Sequence, residues 1–148
     1  MGREHRGVKV LLVEDNPDHA ELTLKALKDG NILNEIAWVK DGEEALDYLY
    51  HRGGYADATK APRPGLILLD LRLPKVDGHE VLRQIKGDED LRSIPVVMLT
   101  TSEREDEISK SYKAGANSFV SKPVCFADFV ERVRSVKLYW VLTNLLPD

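Results

Sequence analysis

The chain has 148 residues, enough for one domain that buries roughly 68–70% of its unfolded surface, and leaves little room for a second. A net charge of −4 argues against a nucleic-acid partner, and no apolar run approaches the ~18 residues that cross a membrane. The opening MGREHRG has no apolar segment of the secretory kind, and Cys125, the single cysteine, can form no internal disulfide, so we expect a cytoplasmic protein whose partners are proteins.

Val8 to Val13 (VKVLLV) reads as a buried strand. Asn16 then offers an N-cap and Pro17 suits the first helical turn, with Ala20, Leu24 and Leu27 at helical spacing and Gly30 as the stop. Glu35 to Val39 is a second strand, followed by Asp41 and Glu44 as a capping pair before Ala45, Leu46 and Leu49. His51 to Pro64, rich in Gly, Pro and small residues, reads as a long loop. Leu66 to Leu69 (LILL) is an apolar run ending on Asp70, and Pro74 and Gly78 punctuate the turn before a helix through Val81, Leu82 and Ile85. Pro95 opens PVVML, which delivers Thr100, and Ser102 with Glu105 caps a fourth helix. Asn117 to Ser121 gives the fifth strand, Lys122-Pro123 breaks it, and a last helix runs from about Phe126 toward Leu145. Strands alternating with helices make an α/β fold, a doubly wound five-stranded parallel sheet of order 2-1-3-4-5 whose crevice lies at the carboxyl ends of the strands.

That topology brings Glu14 and Asp15, after strand one, beside Asp70 at the end of strand three. Three crowded carboxylates repel unless a cation lies between them, and hard oxygen ligands with retained waters suit Mg²⁺. Asp70, rigid at a strand end, is the expected phosphoacceptor nucleophile; Lys122 supplies a point charge for a phosphoryl oxygen and Thr100 a hydroxyl donor. Each group alone reads as a helix-entry charge, a surface lysine or a β-former, with Thr101 as a rival to Thr100, and only the joint spacing decides. His5, His19, His51 and His79 have no metal-ligand spacing and are expected at the surface or at caps, and Trp38 in packing.

The acidic pair in VEDN, DLRLPKVDG around Asp70, LTTS and AGANSFVSKP together resemble the receiver domain of two-component response regulators, over roughly residues 7 to 135. Thr100 follows Asp70 by 30 residues and Lys122 follows Thr100 by 22, as in that family. The resemblance implies a flavodoxin-like receiver fold and phosphate taken from a sensor histidine kinase onto Asp70. It also implies Mg²⁺ held by Glu14, Asp15, Asp70 and the Arg72 carbonyl. Phe119 falls at the switch-aromatic position of the face built by helix four, strand five and helix five, and lacks a tyrosine's hydroxyl. Among stand-alone members, the long loop before strand three and the YW-containing tail look most like regulators paired with phytochromes, so a phytochrome-type kinase is the expected partner.

Residues 1–6 are expected as a disordered tail and 7–148 as one receiver domain, extended by a helix and tail over about 126–148. Phe126, Phe129, Val130, Val133 and Trp140 make one apolar stripe that can face the sheet, while Leu138, Tyr139, Val141, Leu142, Leu145 and Leu146 cover other directions. A helix apolar on more than one face wants a second partner. The expected answer is a homodimer, with Phe129, Tyr139, Trp140, Leu142 and Leu145 as interface residues. A magnesium-dependent phosphatase is disfavoured because Arg72 stands where such enzymes place a second acid. A phosphorylation-independent adaptor remains the alternative.

Overall fold

Strands buried on both faces need helices above and below them, and the order of apolar runs along this chain supplies both layers. The computed structural model describes residues 9–30, 34–101 and 110–135. Its strands are β1 (Val10–Val13), β2 (Ile36–Val39), β3 (Leu66–Asp70), β4 (Val96–Thr100) and β5 (Ser118–Ser121). The helices are α1 (Pro17–Asp29), α2 (Gly42–Tyr50), α3 (Gly78–Gly87), α4, described over 110–113, and α5 (Phe126–Ser135). The sheet is parallel throughout, in the order β2-β1-β3-β4-β5, as the alternation predicts.

Strand alternation divides the core. Leu11, Val13, Ile67, Leu69, Val96 and Met98 pack with residues of α2 and α3. Val10, Leu12, Leu66, Leu68, Val97 and Leu99 pack instead with Ala20 and Leu27 of α1 and Phe129 and Val133 of α5. The register sets Asp70 beside Leu99 and Thr100 beside Ser121, so the polar residues emerge together at one sheet edge.

Helix entries follow their caps. Asn16 Oδ1 accepts from the N–H groups of Asp18 (2.9 Å) and His19 (3.2 Å). Asp41 Oδ1 accepts from Glu44 N–H at 2.7 Å, but the return bond runs from Lys40 N–H to Glu44 Oε1 (2.8 Å), one residue earlier than in a standard capping box. Gly30 ends α1 against the Phe126 ring, where a Cβ would collide with the aromatic carbons.

The segment 51–64 is a loop, but a tied one. It holds a short 3₁₀ turn (Gly53–Tyr55), Tyr48 Oη donates to the Pro62 carbonyl (3.0 Å), Tyr55 Oη to Glu44 Oε2 (2.5 Å) and His51 Nε2 to the Ala61 carbonyl (2.8 Å). Burial and the Glu44 hydrogen bond push the Tyr55 phenol well above its ordinary range.

Phe129 corrects one expectation. Its ring is 1% exposed and packs inside the α1–α5 layer of its own chain, because the α5 stripe is consumed by the sheet, so it offers no surface to a second protomer. Residues 1–6, Ser102 and Glu105, and Tyr139, Trp140, Leu142 and Leu145 with the rest of the tail lie outside the described residues. Phe129→Ala is expected to cost about 3–5 kcal/mol of unfolding free energy in urea, the same at dilute and concentrated protein, since the cavity opens within one chain.

Candidate functional site

The site is assembled from loops that leave β1, β3 and β5 and from the end of β4. Glu14 continues β1, its N–H donating to the Val39 carbonyl (3.1 Å). Its carbonyl accepts from Trp38 Nε1 (2.8 Å), so the indole expected only in packing also holds the acidic turn. Glu14 is 0% exposed: Oε2 accepts from Asn16 N–H (3.1 Å) and Oε1 from Lys122 Nζ (2.8 Å). Asp15 beside it is exposed.

Asp70 emerges buried from β3, Oδ1 accepting from Arg72 N–H (3.2 Å) and Oδ2 from Lys122 Nζ (3.1 Å). Two glycines at helix starts keep the following loop close. A Cβ on Gly78 would strike the carbonyls of Asp70 and Leu71, and one on Gly42 the carbonyl of Val76. Thr100 is buried at the end of β4, while Thr101 is exposed and lines a cavity with Lys122. The Thr100 carbonyl accepts from Lys122 N–H (2.8 Å), setting the lysine next to the threonine.

Carboxylate oxygens of Glu14, Asp15 and Asp70 lie within 4.8 Å of one another, and among the described residues the Lys122 ammonium is the one paired with Glu14 and Asp70. Burial, then the hydrogen bond and charge of Glu14, push the Asp70 carboxyl up to about 6. Burial works against the Lys122 ammonium, yet Glu14 and Asp70 more than offset it and raise its pKa. Excess negative charge on closely set hard oxygens is the donor set that suits Mg²⁺.

Phe119 stands apart from this cluster. Its half-buried ring meets Tyr112 of α4 edge-on at 6.2 Å, and the Arg132 guanidinium of α5 lies 4.7 Å from its centroid. Among the histidines, His51 ends α2 in a left-handed conformation, whereas His79 is half-buried with Nε2 3.2 Å from Ser111 Oγ, and His5 is outside the described residues. His19 turns inward, its Nδ1 accepting from Lys122 Nζ at 3.1 Å, one helical turn past the acidic pair. With Leu22, Thr23, Thr101, Lys122 and Pro123 it lines a cavity of ≈ 260 Å³.

A doubly wound parallel sheet with three carboxylates and a lysine at its edge is the architecture of a signalling receiver, and the chain belongs to the response regulator receiver domain family, whose model matches residues 10–134. It is 48% identical over 139 residues to the Probable methanogenesis regulatory protein FilR2 of Methanothrix harundinacea, covering 93% of this chain and 86% of that protein. Response regulator Rcp1 of Synechocystis sp. is 41% identical over 138 residues, covering 93% and 92%. The bacteriophytochrome response regulator AtBRR superposes with a TM-score of 0.83 at 48% identity, over 96% of this chain and 99% of its own. The Mn²⁺-bound form of Rcp1 superposes with a TM-score of 0.74 at 40% identity, over 95% and 99%. Among the described residues no helix is long and apolar enough to cross a membrane.

Because the folded pKa of Asp70 lies above its ordinary value of 3.8, its contribution to stability is complete below about pH 3.8 and lost as pH rises through about 6. Asp70→Asn is therefore expected to melt higher than wild type at pH 7.5 without metal, the gap closing toward pH 4 in thermal unfolding. Mg²⁺ at a hundred times its dissociation constant is expected to add about 2.7 kcal/mol to wild type at pH 7.5. The shift should be clearly smaller in Asp70→Asn, and calorimetry with and without EDTA reads both.

Proposed function

We propose that this chain takes a phosphoryl group onto Asp70 from a sensor histidine kinase and passes the signal to a protein partner through the α4-β5-α5 face. The observation that carries this reading is the cluster of Glu14, Asp15 and Asp70 with Lys122 bonded across two of its members. Mg²⁺ held by Asp15, Asp70, the Arg72 carbonyl and Glu14, directly or through water, would neutralise charge on the transferring group. An Asp70 oxygen forms the new bond to phosphorus as the donor's P–N bond breaks in line with it, and the electron pair of that bond leaves with the donor histidine.

Lys122 and the Thr100 hydroxyl then meet phosphoryl oxygens. Two charge-assisted hydrogen bonds at about 1.5–3 kcal/mol each reach the order of the ~5.5 kcal/mol needed to drive a two-state element from 1:99 to 99:1. Phe119 passes that change to α4 and α5, a role supported by its contacts with Tyr112 and Arg132. The likeness to AtBRR and Rcp1 supports a phytochrome-type kinase as donor, and the apolar tail beyond the described residues supports a homodimer formed by Tyr139, Trp140, Leu142 and Leu145.

Incubation with Mg²⁺ and acetyl phosphate should add one phosphoryl group to wild type and none to Asp70→Asn, read by intact mass. Light scattering on the same samples tests the dimer, which fails if both forms elute with the mass of one chain. A phytochrome-type kinase that transfers no phosphate to Asp70 in either light state removes that pairing. The adaptor alternative gains ground if Asp70→Asn keeps every partner affinity unchanged.

A further inference from the structure

We propose that His19 is the positioning residue for Lys122, a role that rests on the reading of Lys122 as the counter-charge to the phosphoryl group. A lysine ammonium has three hydrogens and no lone pair. In this site the three acceptors are Glu14 Oε1 at 2.8 Å, Asp70 Oδ2 at 3.1 Å and His19 Nδ1 at 3.1 Å. Since lysine only donates, Nδ1 must carry its lone pair, and His19 is the neutral ring with its proton on Nε2.

The contact closes a ring of hydrogen bonds. Asn16 N–H donates to Glu14 Oε2, His19 N–H donates to Asn16 Oδ1, Lys122 Nζ donates to His19 Nδ1, and the same ammonium donates to Glu14 Oε1. The N-cap that starts α1 therefore also fixes where the imidazole stands. No other histidine has its backbone tied to the acidic turn in this way among the described residues.

His19 differs from the other two acceptors in what happens to it. Glu14 and Asp70 belong to the acidic cluster, and Asp70 loses its carboxylate charge when it becomes an acyl phosphate. His19 is neutral, stands outside the cluster and is unchanged by that chemistry, so it is the anchor that persists while the ammonium exchanges one oxygen for another. Without it, a flexible four-carbon stem beside a cavity of ≈ 260 Å³ has room to swing away from the reacting oxygens.

The first test is spectroscopic and independent of phosphorylation. A long-range ¹H–¹⁵N spectrum of the full chain at pH 8 should show His19 with a pyridine-type Nδ1 and a proton on Nε2, and Lys122→Met should move the Nδ1 shift. The second is kinetic: His19→Ala should lower the initial rate of phosphorylation by acetyl phosphate and Mg²⁺ about tenfold, the lower end of what losing an orienting partner costs. His19→Asn, whose Oδ1 can stand near the place of Nδ1, should restore most of that loss, which a merely structural role would not require. A proton on Nδ1, a wild-type rate in His19→Ala, or an Asn variant as slow as the folded Ala variant overturns the proposal. A wild-type chain that takes no phosphate from acetyl phosphate or from a histidine kinase while His19 shows the expected tautomer overturns the phosphoacceptor reading and upholds the pairing of His19 with Lys122.

Discussion

Among the described residues a single ammonium, 7% exposed, stands against two buried carboxylates and a third at the rim, and the rest of the molecule is arranged around that imbalance. Withdrawing a charge from water costs several kcal/mol even after relaxation, and partners recover it only when geometry and hydrogen bonds are complete. Here the lysine's hydrogens are fully used, whereas the acidic side keeps charge to spare. A divalent cation would relieve that excess, and ligation and stability would then be two readings of the same quantity.

Holding like charges this close requires a frame that does not yield. The parallel ladder pins β1 and β3 side by side, and both are buried along their length, so the carboxylates cannot separate without breaking apolar packing. Gly42 and Gly78 lock the loop after Asp70 against α2 and against the strand end it has just left. Side chains larger than hydrogen at either place would lift that loop from its seat. Stability invested in the sheet is thus what keeps a repulsive cluster together, a common trade at functional sites.

Much of this was legible in the residues alone. Five apolar runs, the Asn16 cap and the Gly30 stop gave element order and sheet topology, because each is a local signal of burial or of chain termination. The acidic pair, Asp70 and Lys122 could be brought together because strand ends in a doubly wound sheet share an edge. Less legible were roles made by contacts across the fold: Trp38 on the Glu14 carbonyl, His19 on Lys122, His79 at Ser111, and the ties that order the loop of 51–64. Phe129 reads from the residues both as part of a sheet-facing stripe and as an interface residue, because an apolar helix stripe does not say which surface covers it. The β1–β2 register, which sets Trp38 beside Leu12, comes from the fold and not from any local signal, so the indole's second task was not legible in the residues.

The bond from Trp38 to the Glu14 carbonyl also gives the protein an optical property. Indole emission responds to the field and polarity at its nitrogen, and this nitrogen touches the peptide unit of a residue whose side chain belongs to the acidic cluster. A cation drawn among the carboxylates would pull on the same turn, and the colour of the Trp38 emission would then follow occupancy. Read in a Trp140→Phe background, the molecule would carry its own gauge of ligation, without a dye.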